Sequence, residues 1–265
     1  REVVVRTARL MAHWQSIGFC HGVMNTDNFS VLGLTLDYGP FGFMDDFNSR
    51  YICNHSDGEG RYAYDMQPEI GQWNCSRLLQ ATLPLLSDDP EQAVEVAQAI
   101  YAEYASAYSV AVMQHWRAKL GLREVRDDDE ALINDLLTLM HRGQSDFTRS
   151  CRVLAGISTY ATGVAIGVRE HFADLAAFDA WVDRYRARLR AEGSGDGAAR
   201  AASMNCINPR SLRIDTDSDP RRKPAVEFWF LGESSPSAPS PRGKNLPLVA
   251  EGVARFGRLD VLVNN

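Results

Sequence analysis

The residues that could carry chemistry lie in a polar stretch that follows the first predicted helix. His21 to Asn28 reads HGVMNTDN, and Asp37-Tyr38-Gly39 begins nine residues after Asn28. Kinase-type phosphoryl-transfer enzymes place a loop of the form H-x-D-x-x-x-x-N ahead of a D-F-G triplet. In that arrangement an Asn oxygen and an Asp carboxylate both reach the Mg²⁺ that binds the nucleotide phosphates. The spacing from His to Asn is the same here.

One position departs from that pattern. Val23 stands where a kinase has the Asp that accepts the hydroxyl proton, and a valine side chain cannot accept one. A carboxylate occurs instead at Asp27, directly before Asn28. Spacing alone leaves two interpretations open, namely a transfer site with a displaced base or two polar turns without catalytic function. Asp-Asn and Asp-Tyr-Gly-Pro sequences both favour turns.

Helices must position this stretch, because the rest of the pattern is largely helical. Apolar spacing, N-cap acids, a first-turn proline and terminal glycines mark the predicted elements. They run from Arg1 to Gly18, from Asp89 to about Leu120, from Asp127 to Gly143, from near Ser145 onward, and from about Asp174 to Glu192. The segment from Phe19 to Trp73 is rich in turns and aromatic residues, with Val31 to Leu36 as a brief strand or hairpin. The sequence predicts a mostly α fold with a small β-hairpin element.

Composition excludes several classes of protein. The 265 residues are 45% hydrophobic and 23% charged, which is typical of a globular protein. The net charge of −6 gives no basic excess for nucleic-acid binding, and no apolar run is long enough to span a membrane. Five cysteines without CxxC spacing argue against a zinc ribbon and against a secreted disulfide framework. We therefore expect a soluble, cytoplasmic, bacterial-type protein that has neither nucleic acid nor membrane as a partner.

Longer motifs favour the first interpretation of the polar stretch. The segments WQSIGFCHGVMNTDNFSVLGLTLDYGPFGFMDDF, ICNHSDGEGRYAYDMQP and WNCSRL closely resemble the selenoprotein O (SelO, YdiU) family, and the resemblance covers about residues 1–208. It implies the C-terminal lobe of a protein-kinase-like fold. It also implies a protein adenylyltransferase, which transfers AMP from ATP to Ser, Thr or Tyr hydroxyls of proteins. The implied cofactor is Mg²⁺, with Mn²⁺ as the alternative.

The resemblance also implies roles for individual residues. The proton acceptor of the family falls on Asp27, its metal-binding Asn on Asn28, and its metal- and ATP-contacting Asp on Asp37. These residue types suit the chemistry, because Mg²⁺ prefers one or two protein oxygens together with phosphate and water. His55 and Asp57 are weaker candidates, for which contact with the substrate and a role within a hydrogen-bonded loop both remain open.

Both ends of the chain depart from the family pattern. Arg1 lies in a helix already in progress, so we expect the chain to begin inside a longer protein, with the N-terminal lobe and its ATP-binding groups absent. Residues 209–248 are predicted to be poorly ordered and rich in Pro and Ser, and residues 249–265 resemble a fragment of a short-chain dehydrogenase. This polypeptide is accordingly expected to bind ATP poorly and to be inactive alone. The alternative is a non-catalytic remnant or a helical lobe that binds a protein partner.

Overall fold

The computed structural model describes residues 1–195 and 197–208, which form a mostly helical body. The helices in this described part are α1 (Glu2–Ile17), α2 (Gln67–Ala81), α3 (Pro90–Lys119), α4 (Asp129–Gly143), α5 (Phe147–Val153), α6 (Ile166–Arg169), α7 (Leu175–Ala191) and α8 (Gly197–Ile207). Strands β1 (Phe19–Cys20) and β2 (Gly42–Phe43) pair antiparallel, with Phe19 opposite Phe43 and Cys20 opposite Gly42. The prediction of a mostly α fold with a small β element is confirmed.

Capping residues in the sequence predicted several helix ends correctly. The Asp89 carboxylate accepts a hydrogen bond from the Glu91 backbone N–H and begins α3, while the Asp174 carboxylate accepts one from Ala177 N–H and begins α7. Gly18 ends α1 in the left-handed region, at φ 70°. Each of these signals acts within one helical turn, which is why the sequence alone could reveal them.

The brief strand or hairpin predicted from Val31 to Leu36 does not form, apart from an isolated β-bridge at Thr35. Val31 and Leu32 are 54% and 57% exposed, and a turn closes where the Gly33 N–H donates to the Ser30 carbonyl oxygen. The sheet forms instead between β1 and β2, whose Phe19 and Phe43 rings lie 5.4 Å apart, centroid to centroid. Helices α2 and α8 were not predicted at all.

Two hydrophobic cores hold the helices together, and α3 contributes to both. The first core joins α1, α2 and the N-terminal half of α3, and its buried members include Met11, Trp14, Phe19, Ile70 and Tyr104. The second core joins α4, α5, α7 and the C-terminal end of α3, and its buried members include Trp116, Leu136, Met140, Phe178 and Trp181. The segment between α1 and α2 contributes to both cores: Phe19 and Met24 lie in the first, and Met44, Phe47 and Tyr64 lie in the second.

The remaining predictions concern membrane-spanning helices and the C-terminal segments of the chain. No helix within residues 1–195 and 197–208 is long and apolar enough to cross a bilayer. The predicted domain boundary after residue 208 stays a prediction. The segments 209–248 and 249–265, with their expected Pro/Ser-rich and dehydrogenase-like character, lie outside the described residues.

Candidate active site on the loop after strand β1

The start of α2 fixes the junction between β1 and the polar loop. The Gln67 side chain is completely buried; its Nε2 donates to the Phe19 carbonyl oxygen at 2.9 Å, and its Oε1 accepts from the His21 backbone N–H at 2.9 Å. One amide therefore satisfies two backbone groups that would otherwise lie unpaired in the interior. The backbone of His21 is held in place by a helix that begins 46 residues later.

The His21 side chain links this loop to the segment that precedes Asp37. Its Nε2 lies 2.7 Å from the Leu36 carbonyl oxygen, and its Nδ1 accepts a hydrogen bond from the Val23 N–H at 3.4 Å. These partners require the tautomer that carries its proton on Nε2. The imidazole also stacks on Trp14, with ring centroids 5.3 Å apart. Burial lowers the pKa of His21 below its ordinary value, which favours the neutral ring that both hydrogen bonds need.

Side chains from two other segments hold the next part of the loop. The Gly22 carbonyl oxygen accepts from Asn54 Nδ2 at 3.0 Å, and the Met24 carbonyl oxygen accepts from Asn74 Nδ2 at 3.0 Å. Asn74 is buried on α2, about two turns after Gln67 on the same face. The loop is thus anchored at successive residues rather than left free between β1 and the short turn that follows.

Asp27 and Asn28 lie on a single 3₁₀ turn, Thr26–Asn28, and present different groups. Asn28 is half-buried, and its Nδ2 donates to the Val23 carbonyl oxygen at 2.9 Å, which leaves Oδ1 as the atom available to a ligand. Asp27 is exposed, and its carboxylate has no hydrogen-bond or ion-pair partner within the described part of the chain. An exposed carboxylate without a partner can be reached by a group on another macromolecule.

Asp37 occupies an unusual backbone conformation. Its φ is 55°, in the left-handed region that few residues other than glycine adopt, and its carbonyl oxygen accepts from the Gly39 N–H at 2.8 Å. The next residue, Tyr38, packs edge-on against Phe41 with centroids 5.0 Å apart, and burial raises the pKa of Tyr38 to about 12. Tyr38 therefore anchors the turn in the first core while the Asp37 side chain remains exposed.

Consecutive hydrogen bonds connect the two predicted metal-binding segments. Asn28 bonds to the Val23 carbonyl, the Val23 N–H bonds to His21, and His21 bonds to Leu36, the residue before Asp37. The described residues contain no cluster of three or more His, Cys, Asp or Glu side chains arranged to hold a metal ion. Asn28 and Asp37 offer two hard oxygen ligands, which fits Mg²⁺ because that ion takes its remaining ligands from phosphate and water.

The two weaker candidates differ in their surroundings. Both carboxylate oxygens of Asp57 accept backbone hydrogen bonds, one from Arg61 N–H at 2.9 Å and one from Tyr62 N–H at 2.7 Å. Asp57 therefore stabilises its own loop, as the loop interpretation expects. His55 is exposed on the same loop.

The residues that hold the loop were missed from the sequence. Gln67, Asn74, Asn54 and Tyr62 lie within the segments that carry the family resemblance, but that resemblance implied no role for them. Their partners lie tens of residues away along the chain. One signal was available, because Gln67 and Asn74 are seven residues apart and so share one face of α2. A buried polar pair on a helix face indicates that the helix holds backbone groups of another segment.

Comparison with known proteins agrees with the motifs. The model of the family described as "Protein adenylyltransferase SelO" matches residues 1–218. Proteins named "Protein nucleotidyltransferase YdiU" are similar to the chain: the Methylococcus capsulatus protein is 62% identical over 209 residues, and the Myxococcus xanthus protein is 53% identical over 209 residues. A Paraburkholderia xenovorans protein of the same name is 52% identical over 215 residues.

These matches cover most of this chain and a smaller share of its relatives. Each of the three alignments includes 79% of the chain but only 41–42% of the relative. The chain thus spans less than half the length of these curated relatives. The family match nevertheless includes every residue of the loop, of the Asp37 turn and of the helices that hold them. The chain therefore belongs to the SelO family of protein adenylyltransferases.

Proposed function

We propose that this chain carries the catalytic loop and the metal-binding turn of a protein adenylyltransferase, which transfers AMP from ATP to a Ser, Thr or Tyr hydroxyl of a protein. In this proposal the helical body corresponds to the C-terminal lobe of a kinase-like fold. The observation that carries it is the hydrogen bond between His21 Nε2 and the Leu36 carbonyl oxygen, which couples the Asp27-Asn28 turn to Asp37. Family membership supports the same chemistry.

Asp27 is assigned the role of general base. Its carboxylate is exposed and lies on a turn whose neighbours are anchored, so it combines access for a protein substrate with a fixed position. A carboxylate in this position can accept a hydroxyl proton as the oxygen attacks. Asp27 then positions the nucleophile without binding the nucleotide.

Asn28 and Asp37 are assigned the role of holding Mg²⁺, with Mn²⁺ as the alternative. The ion would offset negative charge on the ATP phosphates during transfer. Asn28 Oδ1 is oriented by the bond from its own Nδ2 to Val23, and Asp37 is oriented by the turn that Tyr38 anchors. The chain contributes one neutral and one anionic oxygen, which is the set that a hard cation accepts.

The expected setting of this reaction is the cytoplasm, with ATP and hydroxyl-bearing proteins as partners. The net charge of −6 gives no support to nucleic acid as a partner. Free cysteines such as the buried Cys20, Cys75 and Cys151 are consistent with a reducing compartment.

Labelled ATP tests the proposal directly. The Methylococcus capsulatus relative, with this chain in place of the 209 residues that align with it, is incubated with Mg²⁺, a generic protein acceptor, and ATP labelled at either the α or the γ phosphate. We expect the acceptor to gain label from the α position only, and Asp27→Asn to reduce that transfer at least about 100-fold, as loss of a general base does. Asp88→Asn, which alters an exposed acid before α3, is the matched control and should not change the rate.

Other outcomes decide between the alternatives. Label from the γ position alone would show a kinase and contradict the proposal. Absence of transfer from either position would favour the second candidate, a helical lobe that binds a partner without catalysing. That candidate is kept because the alignments include less than half of each relative.

A further inference from the structure

A group of two arginines and a tryptophan lies on the surface beside the loop. The guanidinium carbon of Arg61 is 5.0 Å from the centroid of the Trp73 ring, and that of Arg77 is 5.3 Å from it. Trp73 is 38% exposed, and both arginines are exposed. We refer to these three residues as the Arg61–Trp73–Arg77 cluster. A tryptophan left this open by the fold is available to contact another molecule.

The two guanidinium groups have no acidic partner. Neither Arg61 nor Arg77 forms an ion pair with any residue of the ranges 1–195 and 197–208. Asp57, four residues before Arg61, uses both carboxylate oxygens on backbone N–H groups. Arg77 donates from Nε to the Ser76 hydroxyl, which leaves its other guanidinium nitrogens free. The cluster therefore presents positive charge on a protein that is acidic overall.

The cluster is attached to the loop that carries the proposed base. Tyr62, next to Arg61, donates from its hydroxyl to Asn25 Oδ1 at 2.6 Å. Asn74, next to Trp73, donates to the Met24 carbonyl oxygen at 3.0 Å. The neighbours of two cluster residues thus bind consecutive loop residues, two and three positions before Asp27. The cluster and the loop that carries Asp27 are therefore joined through the neighbours of Arg61 and Trp73.

We propose that the Arg61–Trp73–Arg77 cluster binds an acidic segment of the protein substrate, close to the hydroxyl that is modified. This inference rests on the proposed function, since it names the class of acceptor. Arginine binds carboxylates through paired N–H groups in a fixed fork. Stacking on Trp73 restrains both guanidinium groups before the substrate arrives, which lowers the entropy lost on binding.

A binding measurement tests the cluster without requiring catalysis. The probe is a fluorescein-labelled serine peptide with glutamates on both sides, and the matched probe carries glutamines in place of the glutamates. Fluorescence anisotropy with the full chain should show at least tenfold tighter binding of the glutamate peptide, and added NaCl should weaken it. The double variant Arg61→Gln/Arg77→Gln should lose that preference. Arg123→Gln/Arg142→Gln removes two exposed arginines elsewhere and should retain it.

Competition separates the acidic peptide from other anionic ligands. Equal affinity for the two peptides would overturn the proposal. So would displacement of the glutamate peptide by Mg²⁺-ATP, which would assign the cluster to the nucleotide, or equally tight binding of a single-stranded oligouridine that is lost in the same variant. A glutamate preference without any transfer from α-labelled ATP would support the docking surface while contradicting the adenylyltransferase activity. The two proposals can therefore fail separately.

Discussion

His21 Nε2 and the Leu36 carbonyl oxygen lie 2.7 Å apart. This contact joins the loop that contains Asn28 to the segment that leads into Asp37. The imidazole is 1% exposed and stacks on Trp14, so its position is set by packing as well as by hydrogen bonds. His21 therefore acts as a positioning residue that fixes the relation between the loop and the Asp37 turn.

Replacing His21 by phenylalanine should keep the stacking and remove both hydrogen bonds. The Leu36 carbonyl and the Val23 N–H would lose their partners, and each such loss costs about 1–3 kcal/mol. We expect His21→Phe to lower the free energy of unfolding in urea and to reduce AMP transfer. His55→Phe changes an exposed histidine and should alter stability by less than about 0.5 kcal/mol. Equal effects of the two variants would exclude the positioning role.

The burial of His21 also predicts a dependence of stability on pH. Burial lowers its pKa in the folded protein below the ordinary value of 6.5, so the unfolded chain binds more protons. The free energy of unfolding should be highest above pH 6.5 and should fall, by up to about 1.4 kcal/mol per pH unit, as the pH decreases towards the folded-state pKa. Urea titrations at a series of pH values measure this slope. His21→Phe should lack this pH dependence. The difference in free energy of unfolding between this variant and the wild type should therefore become smaller as the pH is lowered.

Local signals allowed part of this structure to be predicted. Asp89 and Asp174 cap helices within a single turn, and the spacing of His21, Asn28 and Asp37 lies within one short segment. Such features depend on neighbours along the chain, so a sequence pattern is sufficient to find them.

The remainder depends on contacts between distant residues. The apolar run from Val31 to Leu36 has the composition of a strand, but Gly33 turns the chain, and the strands that pair within the described residues are β1 and β2. Helix α2 was missed because buried polar residues such as Gln67 and Asn74 interrupt its apolar pattern. Those same residues hold the loop after β1, so the buried polar side chains that obscured the helix are the ones through which α2 fixes that loop.

Two substitutions at Asp37 distinguish the effect of its charge from the effect of its left-handed backbone conformation. Asn tolerates φ near 55° better than Ala does, because residues with short polar side chains populate this region more often. Asp37→Asn should therefore leave the free energy of unfolding nearly unchanged, while Asp37→Ala should lower it by about 1 kcal/mol. In the Methylococcus capsulatus relative that carries this chain in place of its aligned residues, both substitutions should weaken Mg²⁺-dependent ATP binding, measured by calorimetry. Unaltered binding in Asp37→Asn would remove Asp37 from the metal site.

A buried charge network in the second core should dominate the stability of that region. The Asp129 carboxylate is completely buried and accepts from Arg117 Nε and Arg188 Nε, each at 2.6 Å. Burial alone would raise the pKa of Asp129, but the hydrogen bonds from Arg188 and Arg117 outweigh it and hold the pKa below the ordinary 3.8. Asp129→Asn would leave two arginines without their shared carboxylate and should cost about 3–5 kcal/mol.

A surface pair provides the control for this network. Asp135 and Arg184 form an ion pair at 2.6 Å with both side chains about half exposed, so Asp135→Asn should cost less than about 1 kcal/mol.

The network also predicts a dependence of stability on pH. Because the folded-state pKa of Asp129 is lowered, its contribution to the free energy of unfolding is complete above pH 3.8 and is lost as the pH falls through the folded-state pKa. The loss of stability in Asp129→Asn relative to the wild type, measured by thermal unfolding, should become smaller at acid pH. If Asp129→Asn loses no more stability at neutral pH than Asp135→Asn does, the network does not stabilise this region as proposed.

Gly22 should be the least tolerant position of the loop. Its φ is 82°, and a Cβ atom there would lie 2.7 Å from Cys53 Sγ and 3.2 Å from the Pro40 carbonyl oxygen. Gly163 has a similar φ of 75° but open space around the added atom, so Gly163→Ala measures the backbone cost alone, about 1–2 kcal/mol. Gly22→Ala should cost about 1–3 kcal/mol more, from the steric overlap.

A second substitution shows whether that excess comes from the contact with Cys53. Removing the Sγ atom in Gly22→Ala/Cys53→Ala should recover much of the excess, because the closest overlap disappears while the left-handed backbone remains. AMP transfer should recover in parallel, since the Gly22 carbonyl oxygen could again lie within reach of Asn54 Nδ2. A double variant as unstable as Gly22→Ala alone would assign the cost to the Pro40 carbonyl or to the backbone, and the Cys53 side chain would then have no part in fixing the loop.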